Sequence, residues 1–402
     1  MSANETIIAV TGWGSVSSLG SFKKDIWNNY LNTDSLLKNK TFNNIEYPVA
    51  SLHPQAEEEI SSLKKSDKKY SRLDRTALMA MLAAHKAFDS AELKNSDYHR
   101  IGVNIGSSRG ATGLWEDFYK DYLLSKDKQT ALLTSPLTTL GNVSSEVASY
   151  LQVSGPVISN STTCSTAFQA IGNAMAWLKS DMADAFIAGG SEAPLTEFTL
   201  AQTEALGIYT KNILNQYPSR PFSAELKPKN TFALGEGAAV FVLEKMNSIQ
   251  KRKIKPLVII ESIGFAFETP PSATGLNTEG TLLIKSMKDA TDKMISSEPI
   301  DMVLLHGTGT VKGDIAEMNA VKSFFNKNIP ILYTNKWKIG HTYAASAALH
   351  LELAILCILN NTSLDLPYSN LLTNRKTNIR KVMINATGFG GNASSLIISN
   401  YF

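Results

Sequence analysis

The sequence predicts an α/β protein with largely parallel sheets, laid out as two similar halves. Three observations carry this. Short apolar runs alternate with helical apolar patterns along most of the chain. Five such runs precede residue 250 and five follow it. A polar, basic stretch, KMNSIQKRKIKP at 245–256, lies between the two sets and makes a reasonable junction, so the expected units are 1–250 and 251–402. The chain has 402 residues, 43% of them hydrophobic, which is ample for a large core.

Taken in order, the first strand-like run is 6–11, and a helical pattern at 72–91 separates it from the run at 101–106. A helical pattern at 140–152 leads to the run at 156–159, and one at 164–180 leads to 184–189 and then 238–244. In the second set, runs at 257–263, 301–306, 330–333, 381–386 and 394–399 are interleaved with helical patterns at 277–295, 314–325 and 343–360. Two excursions, 110–140 and 192–236, carry mixed signals. Insertions of that length build substrate channels or subunit interfaces, or are ordinary surface loops and helices.

A formal charge of +3 gives no reason to expect nucleic acid. Two cysteines, Cys164 and Cys357, make no disulfide framework, and Cys357 lies in a helical core pattern. The opening residues lack a basic region followed by a long apolar one. The most apolar stretch, 343–359, is interrupted by His350 and Glu352 and reads as a buried helix, not a membrane span. A cytoplasmic protein is expected.

Cys164 is the most informative residue. It falls at or near the start of the 164–180 helix, where Ala167, Ala170, Ile171, Ala174 and Leu178 recur at helical spacing. Unpaired backbone N–H groups and the helix dipole there favour a thiolate, a nucleophile. A lone cysteine is as readily a small buried apolar residue, and the rest of the chain decides between the two. In LLHGTGTVKGDIAEMNAVKSFF (304–325) a buried strand ends at His306 in a turn of small residues. Asp314 and Glu317 fit a capping pair, Asp at the N-cap and Glu three residues on. In YTNKWKIGHTYAASAALH (333–350) Lys336, Lys338 and His341 lie between strand and helix. In NATGFGGNASSLII (385–398) a glycine-rich turn carrying Phe389 joins two strands. A phosphate-cradling loop is the rival reading of that turn, and it lacks the helix N-terminus such a loop feeds. One Cys and two His at the carboxyl sides of strands make a plausible active site for cysteine nucleophilic chemistry. A Cys-His-His zinc site competes, but zinc favours closer ligand spacing and a fourth ligand or water.

Six motifs in order resemble those of the β-ketoacyl-ACP synthases, the condensing enzymes of fatty-acid and polyketide synthesis. TTCSTAFQAIGNA resembles the nucleophile motif, and IAGGSEAPL (187–195) the strand and turn after it. SRPF (219–222) and LGEGAAVFVLE (234–244) resemble the mid-chain signature, and HGTGTVKGDIAE, NKWKIGH and GFGG the later ones. The resemblance implies a thiolase-like fold of five layers, αβαβα, with two related halves, the first carrying the nucleophile and the second the two histidines. It implies a homodimer, or a heterodimer with a related subunit, and no metal or redox cofactor. Cys164 would take the acyl chain from a carrier thioester. His306 and His341 would hold the malonyl thioester carbonyl as CO₂ leaves. Lys336 matches the family lysine and Glu317 the acidic residue that organises the site. The backbone N–H groups of Cys164 and Phe389 would form the oxyanion hole, with the Phe389 ring as a gate. The partner would be an acidic acyl carrier protein, docking on LKKSDKKYSRLDR (63–75) through Lys64, Lys65, Lys68 and Lys69, with Arg72 and Arg75 nearby.

The chain also departs from the family pattern. SAELKPKNTFALGEG is longer than usual and lacks an Asp after SRPF; Asn392 and Ala393 follow GFGG; Thr387 precedes it. These changes lie where a pocket and a dimer surface are expected, and point to a specialised pathway. A catalytically silent chain-length partner is the alternative, which the intact Cys164, His306 and His341 oppose. A thiolase would need a second reactive cysteine.

Overall fold

The computed structural model describes residues 6–401 except 225–227, 271, 273–274 and 369–376. Part of the long SAELKPKNTFALGEG segment, 225–227, therefore lies outside the described residues. Among the described residues there are twelve strands: β1 (Ile8–Ser17), β2 (Lys38–Phe42), β3 (Ile45–Val49), β4 (Ile101–Gly106), β5 (Val157–Ile158), β6 (Ala185–Glu192), β7 (Gly237–Lys245), β8 (Val258–Phe267), β9 (Met302–Leu304), β10 (Ile331–Tyr333), β11 (Lys381–Gly388) and β12 (Asn392–Ser399). Ten of them form one sheet in the order β10-β9-β11-β12-β8-β1-β7-β6-β4-β5. The two sides of this sheet meet only where Ile8–Val10 of β1 pair with Val258–Ile260 of β8. Outward from that junction, the path β1, β7, β6, β4, β5 is matched by β8, β12, β11, β9, β10. Neighbours at matching places run in matching directions.

The sheet is mixed, which corrects the expectation of largely parallel strands. β4 is parallel to β5 and β6, and β9 to β10 and β11. β7 is antiparallel to β1 and β6, and β12 to β8 and β11. Parallel neighbours need a crossover helix between them, whereas a hairpin returns antiparallel. Helices cross between β4 and β5, β5 and β6, β9 and β10, and β10 and β11. β11 turns directly into β12, and β7 returns after the 192–236 excursion.

Two central helices, Thr166–Lys179 and Ser346–Leu359, share one core with residues of both sides of the sheet. The second is buried from Ser346 to Ile358, as its all-round apolar sequence requires. On the outer face of the first side, helices Arg75–Ser90 and Asn142–Leu151 cover a second core. On the outer face of the second side, helices Thr281–Thr291 and Val311–Phe325 cover a third. The result is the αβαβα layering. Among the described residues no helix is long and apolar enough to cross a membrane.

The hairpin β2–β3 has no counterpart in the sequence reading. Residues 38–41 of β2 are solvent-exposed and polar, and β3 contains Pro48, so neither strand shows an apolar run. The excursions hold helices: Thr112–Leu124 and Thr134–Thr138 in the first, Glu197–Ala205 in the second.

Candidate active site

The carboxyl ends of β5, β6, β9, β10 and β11 present Cys164, Glu192, His306, His341 and Phe389. Cys164, His306, His341, Glu317 and Phe389 line one cavity of about 1040 Å³. The arrangement follows the rule that sites in α/β sheets form at carboxyl strand ends.

Cys164 sits in a 3₁₀ turn, Thr163–Ser165, that runs straight into the central helix Thr166–Lys179. Thr163 holds a positive φ of 54°, costly for a β-branched residue. Its hydroxyl donates to the Phe389 carbonyl (3.3 Å), and Ser108 Oγ donates to its own carbonyl (3.0 Å). A Cβ on Gly388 would lie 2.0 Å from Thr163 Oγ1 and 3.3 Å from the Cys164 nitrogen, so only glycine lets the β11–β12 turn approach this closely. Gly390 and Gly391 take positive φ to close that turn and leave Phe389 half-exposed at the cavity.

Cys164 itself is buried, 8% exposed. Burial pushes its thiol up to about 12; the Lys336 and Arg109 charges pull it back and the Glu192 carboxyl pushes it further up. Burial therefore opposes the thiolate that the helix N-terminus is expected to favour.

The imidazole rings of His306 and His341 lie 5.4 Å apart, edge to face. Burial and then the Lys336 charge hold both well below the usual histidine range, so both are neutral. The Tyr343 backbone N–H donates to His341 Nδ1 (3.0 Å), which leaves the ring proton on Nε2. His341 is thereby fixed as an Nε2–H donor.

Glu317 accepts from the N–H groups of His306 (2.7 Å) and Gly307 (2.8 Å), while Lys336 Nζ donates to the His306 carbonyl. The peptide carrying His306 is thus clamped from both ends. Burial lowers Lys336 and raises Glu317 in proton affinity, and the attraction between their charges opposes both shifts. The capping pair expected of Asp314 and Glu317 is not present. The helix starts at Val311 with Thr310 as N-cap, which puts both carboxylates inside the helix. Asp314 instead accepts from the Phe222 (2.8 Å) and Gly309 (3.1 Å) backbone, and burial pushes it up to about 7.

Three site residues were missed in the sequence. Glu192, fully buried at the end of β6, accepts from Ser107 Oγ (2.8 Å) and from the N–H groups of Ser108 (2.7 Å), Arg109 (3.2 Å) and Ala344 (3.3 Å). Arg109 and Tyr343 stack nearby, guanidinium carbon to ring centroid 5.2 Å. The available signal was an acidic residue closing an apolar run, IAGGSE. Lys64, Lys65, Lys68 and Lys69 lie apart from the cavity, exposed at the end of helix Pro54–Ser66 and in the turn after it. Arg75, by contrast, is engaged with Glu57 (2.8 Å through Nη1) and Glu236 (2.7 Å), a bracing role. Cys357 is wholly buried in the second central helix. Among the described residues, no group of three or more His, Cys, Asp or Glu could hold a metal ion.

Fold and cavity define a thiolase-like protein with one thiol and two neutral imidazoles around a shared space. The chain belongs to the β-ketoacyl synthase family: its N-terminal domain model matches residues 5–248 and its C-terminal domain model residues 259–365. A 3-oxoacyl-[acyl-carrier-protein] synthase 2 of Coxiella burnetii is 29% identical over 98% of this chain and 99% of its own length. The solved ishigamide ketosynthase/chain length factor superposes with a TM-score of 0.86 at 21% identity, over 99% of this chain and 100% of that one. A type II polyketide ketosynthase (AntDE) solved with its acyl carrier protein (AntF) superposes at 0.82 with 22% identity, over 99% and 100%.

Proposed function

We propose that this protein catalyses decarboxylative Claisen condensation between an acyl group on Cys164 and malonyl-ACP, in fatty-acid or polyketide biosynthesis. The observation that carries the reading is the convergence of Cys164, His306 and His341 on one cavity, with His341 held as a donor. Cys164 Sγ attacks the acyl thioester carbonyl, the carbon–sulfur bond to the carrier breaks, and the thiol proton leaves with the carrier sulfur. The Cys164 and Phe389 N–H groups face the developing oxyanion. In the second half-reaction the malonyl thioester oxygen accepts from a ring N–H of His306 and from Nε2–H of His341. The bond between the malonyl methylene carbon and its carboxylate breaks, CO₂ leaves with the electron pair kept as the enolate, and the enolate carbon attacks the acyl-Cys164 carbonyl. The carbon–sulfur bond to Cys164 breaks, a 3-oxoacyl thioester forms, and Cys164 leaves as a thiolate that takes up one proton from solvent. Removing one such donor typically costs ~10²–10³ in rate. Lys336 and Glu317 act by holding His306 in place.

The partner in this reading is an acyl carrier protein, which the solved AntDE–AntF complex supports by likeness of fold. Its dock would be Lys64, Lys65, Lys68 and Lys69. The test is acylation followed by turnover. Intact mass should show an acyl adduct on wild-type protein, none on Cys164→Ala, and loss of the adduct when malonyl-ACP is added. No adduct from acyl-ACPs of any chain length would replace this reading with that of a silent chain-length partner.

A further inference from the structure

We propose that Arg109 reads the acyl group delivered to Cys164 and selects chains ending in a carboxylate. The proposal rests on the condensing reading above and names its substrate class. The loop after β4 is fixed against the nucleophile turn: Ser108 Oγ donates to the Thr163 carbonyl (3.0 Å), and Glu192 accepts from the Ser108 and Arg109 N–H groups (2.7 and 3.2 Å). The Arg109 backbone is therefore held beside the residue that precedes Cys164. Its guanidinium lies over the ring of Tyr343, a wall of the Cys164 cavity.

All its side-chain partners are neutral. Nη1 donates to Gln202 Oε1 (2.5 Å) and Thr199 Oγ1 (3.3 Å), and no carboxylate pairs with Arg109 among the described residues. Nε and Nη2 have no acceptor among those residues, which leaves one edge of the fork open. That edge presents two parallel N–H groups, the geometry that matches a carboxylate. The neighbourhood is polar as well. Thr203 bonds the Tyr343 hydroxyl (3.1 Å), and Thr196 bonds Thr199 (2.9 Å). A saturated chain threaded here would strip water from the fork and from these hydroxyls with nothing in return. A terminal carboxylate would replace that water with a charge-assisted pair. Simple solvation of an exposed arginine, and a carboxylate from a second copy of the chain, are the competing accounts.

The experiment is a competition read by intact mass. Wild-type protein is offered equimolar N-acetylcysteamine thioesters, a dicarboxylic monothioester against the alkanoyl thioester of equal carbon count, from succinyl to suberyl. At one or more lengths the Cys164 adduct should favour the carboxylate-bearing chain by about tenfold, the scale of a charged hydrogen-bonded pair. Arg109→Leu should reverse the preference, labelling faster with alkanoyl and slower with dicarboxyl chains, and Arg109→Lys should retain part of it. The same ratio in wild type and Arg109→Leu at every length overturns the selectivity and leaves the condensing reading standing. The same ratio with a changed oligomeric mass assigns the fork to a second copy and also overturns it. No adduct from either thioester in wild type overturns both.

Discussion

In the proposed reaction Cys164 has to act as a nucleophile from inside the protein. A thiol pushed up to about 12 is less ionised at neutral pH than an ordinary cysteine. Below that value the thiolate fraction grows tenfold with each pH unit. Alkylation of Cys164 by iodoacetamide, read by peptide mass, should therefore be slow at pH 7 and rise about tenfold per pH unit through pH 9 without levelling. A plateau below pH 8 would restore the thiolate expected from the helix N-terminus. In the proposed turnover the acyl thioester would supply what iodoacetamide does not, an oxygen for the backbone N–H groups and a sulfur to carry the proton away. Cys164 and both histidines were legible because each lies in a recognisable motif on the carboxyl side of a strand. Glu192 was not, because its work is to accept four bonds from 107–109 and 344, segments remote in sequence. Asp314 and Glu317 were legible as acids and misread as caps, since their true partners are loop amides of Phe222, His306, Gly307 and Gly309.

Helix Thr112–Leu124 has no buried residue, yet Trp115, Tyr119, Leu123 and Leu124 are 53%, 49%, 52% and 75% exposed. The Trp115 and Tyr119 rings stack at 5.4 Å. An apolar stripe of this kind, between two and three turns long, marks a surface another chain covers. β5 is an edge strand of the ten-stranded sheet, and its Val157 is 43% exposed. We expect a dimer by light scattering at micromolar concentration, and expect Tyr119→Glu with Leu124→Glu to shift it to monomer. A standard interface buries roughly 800 Å² per partner, so two central charges suffice to weaken it. A wild-type monomer would assign the stripe to a related subunit instead. The sequence placed this element only inside an excursion of mixed signal. Trp115, Tyr119 and Leu123 recur at helical spacing, but the helix has no core of its own chain to face, so the sequence alone does not say what the stripe packs against.

At the scale of the whole molecule, the count of five strands and five strands was readable, and the matched path outward from β1 and β8 is its structural form. Strand direction was not readable, because a run of buried apolar residues looks the same whichever way its neighbours point. The molecule also separates its chemistry from its charge. Lys336 and Lys338 are buried in the interior, whereas Lys64, Lys65, Lys68 and Lys69 stand in water, with Lys64, Lys65 and Lys68 around one shallow depression. A delivered substrate would use the two regions differently. The acidic carrier would be held and steered by the exposed lysines, and only its thioester arm would enter the cavity. Reversing Lys65 and Lys69 to Glu should then raise KM for acyl-ACP by tenfold or more, lose its salt dependence, and leave kcat and the acylation of Cys164 by a small thioester close to wild type. The comparison of the two substrates is what carries the inference. A folding defect or a disturbed cavity would slow both, whereas a docking surface slows only the substrate that docks, and equal losses would place the carrier on another face.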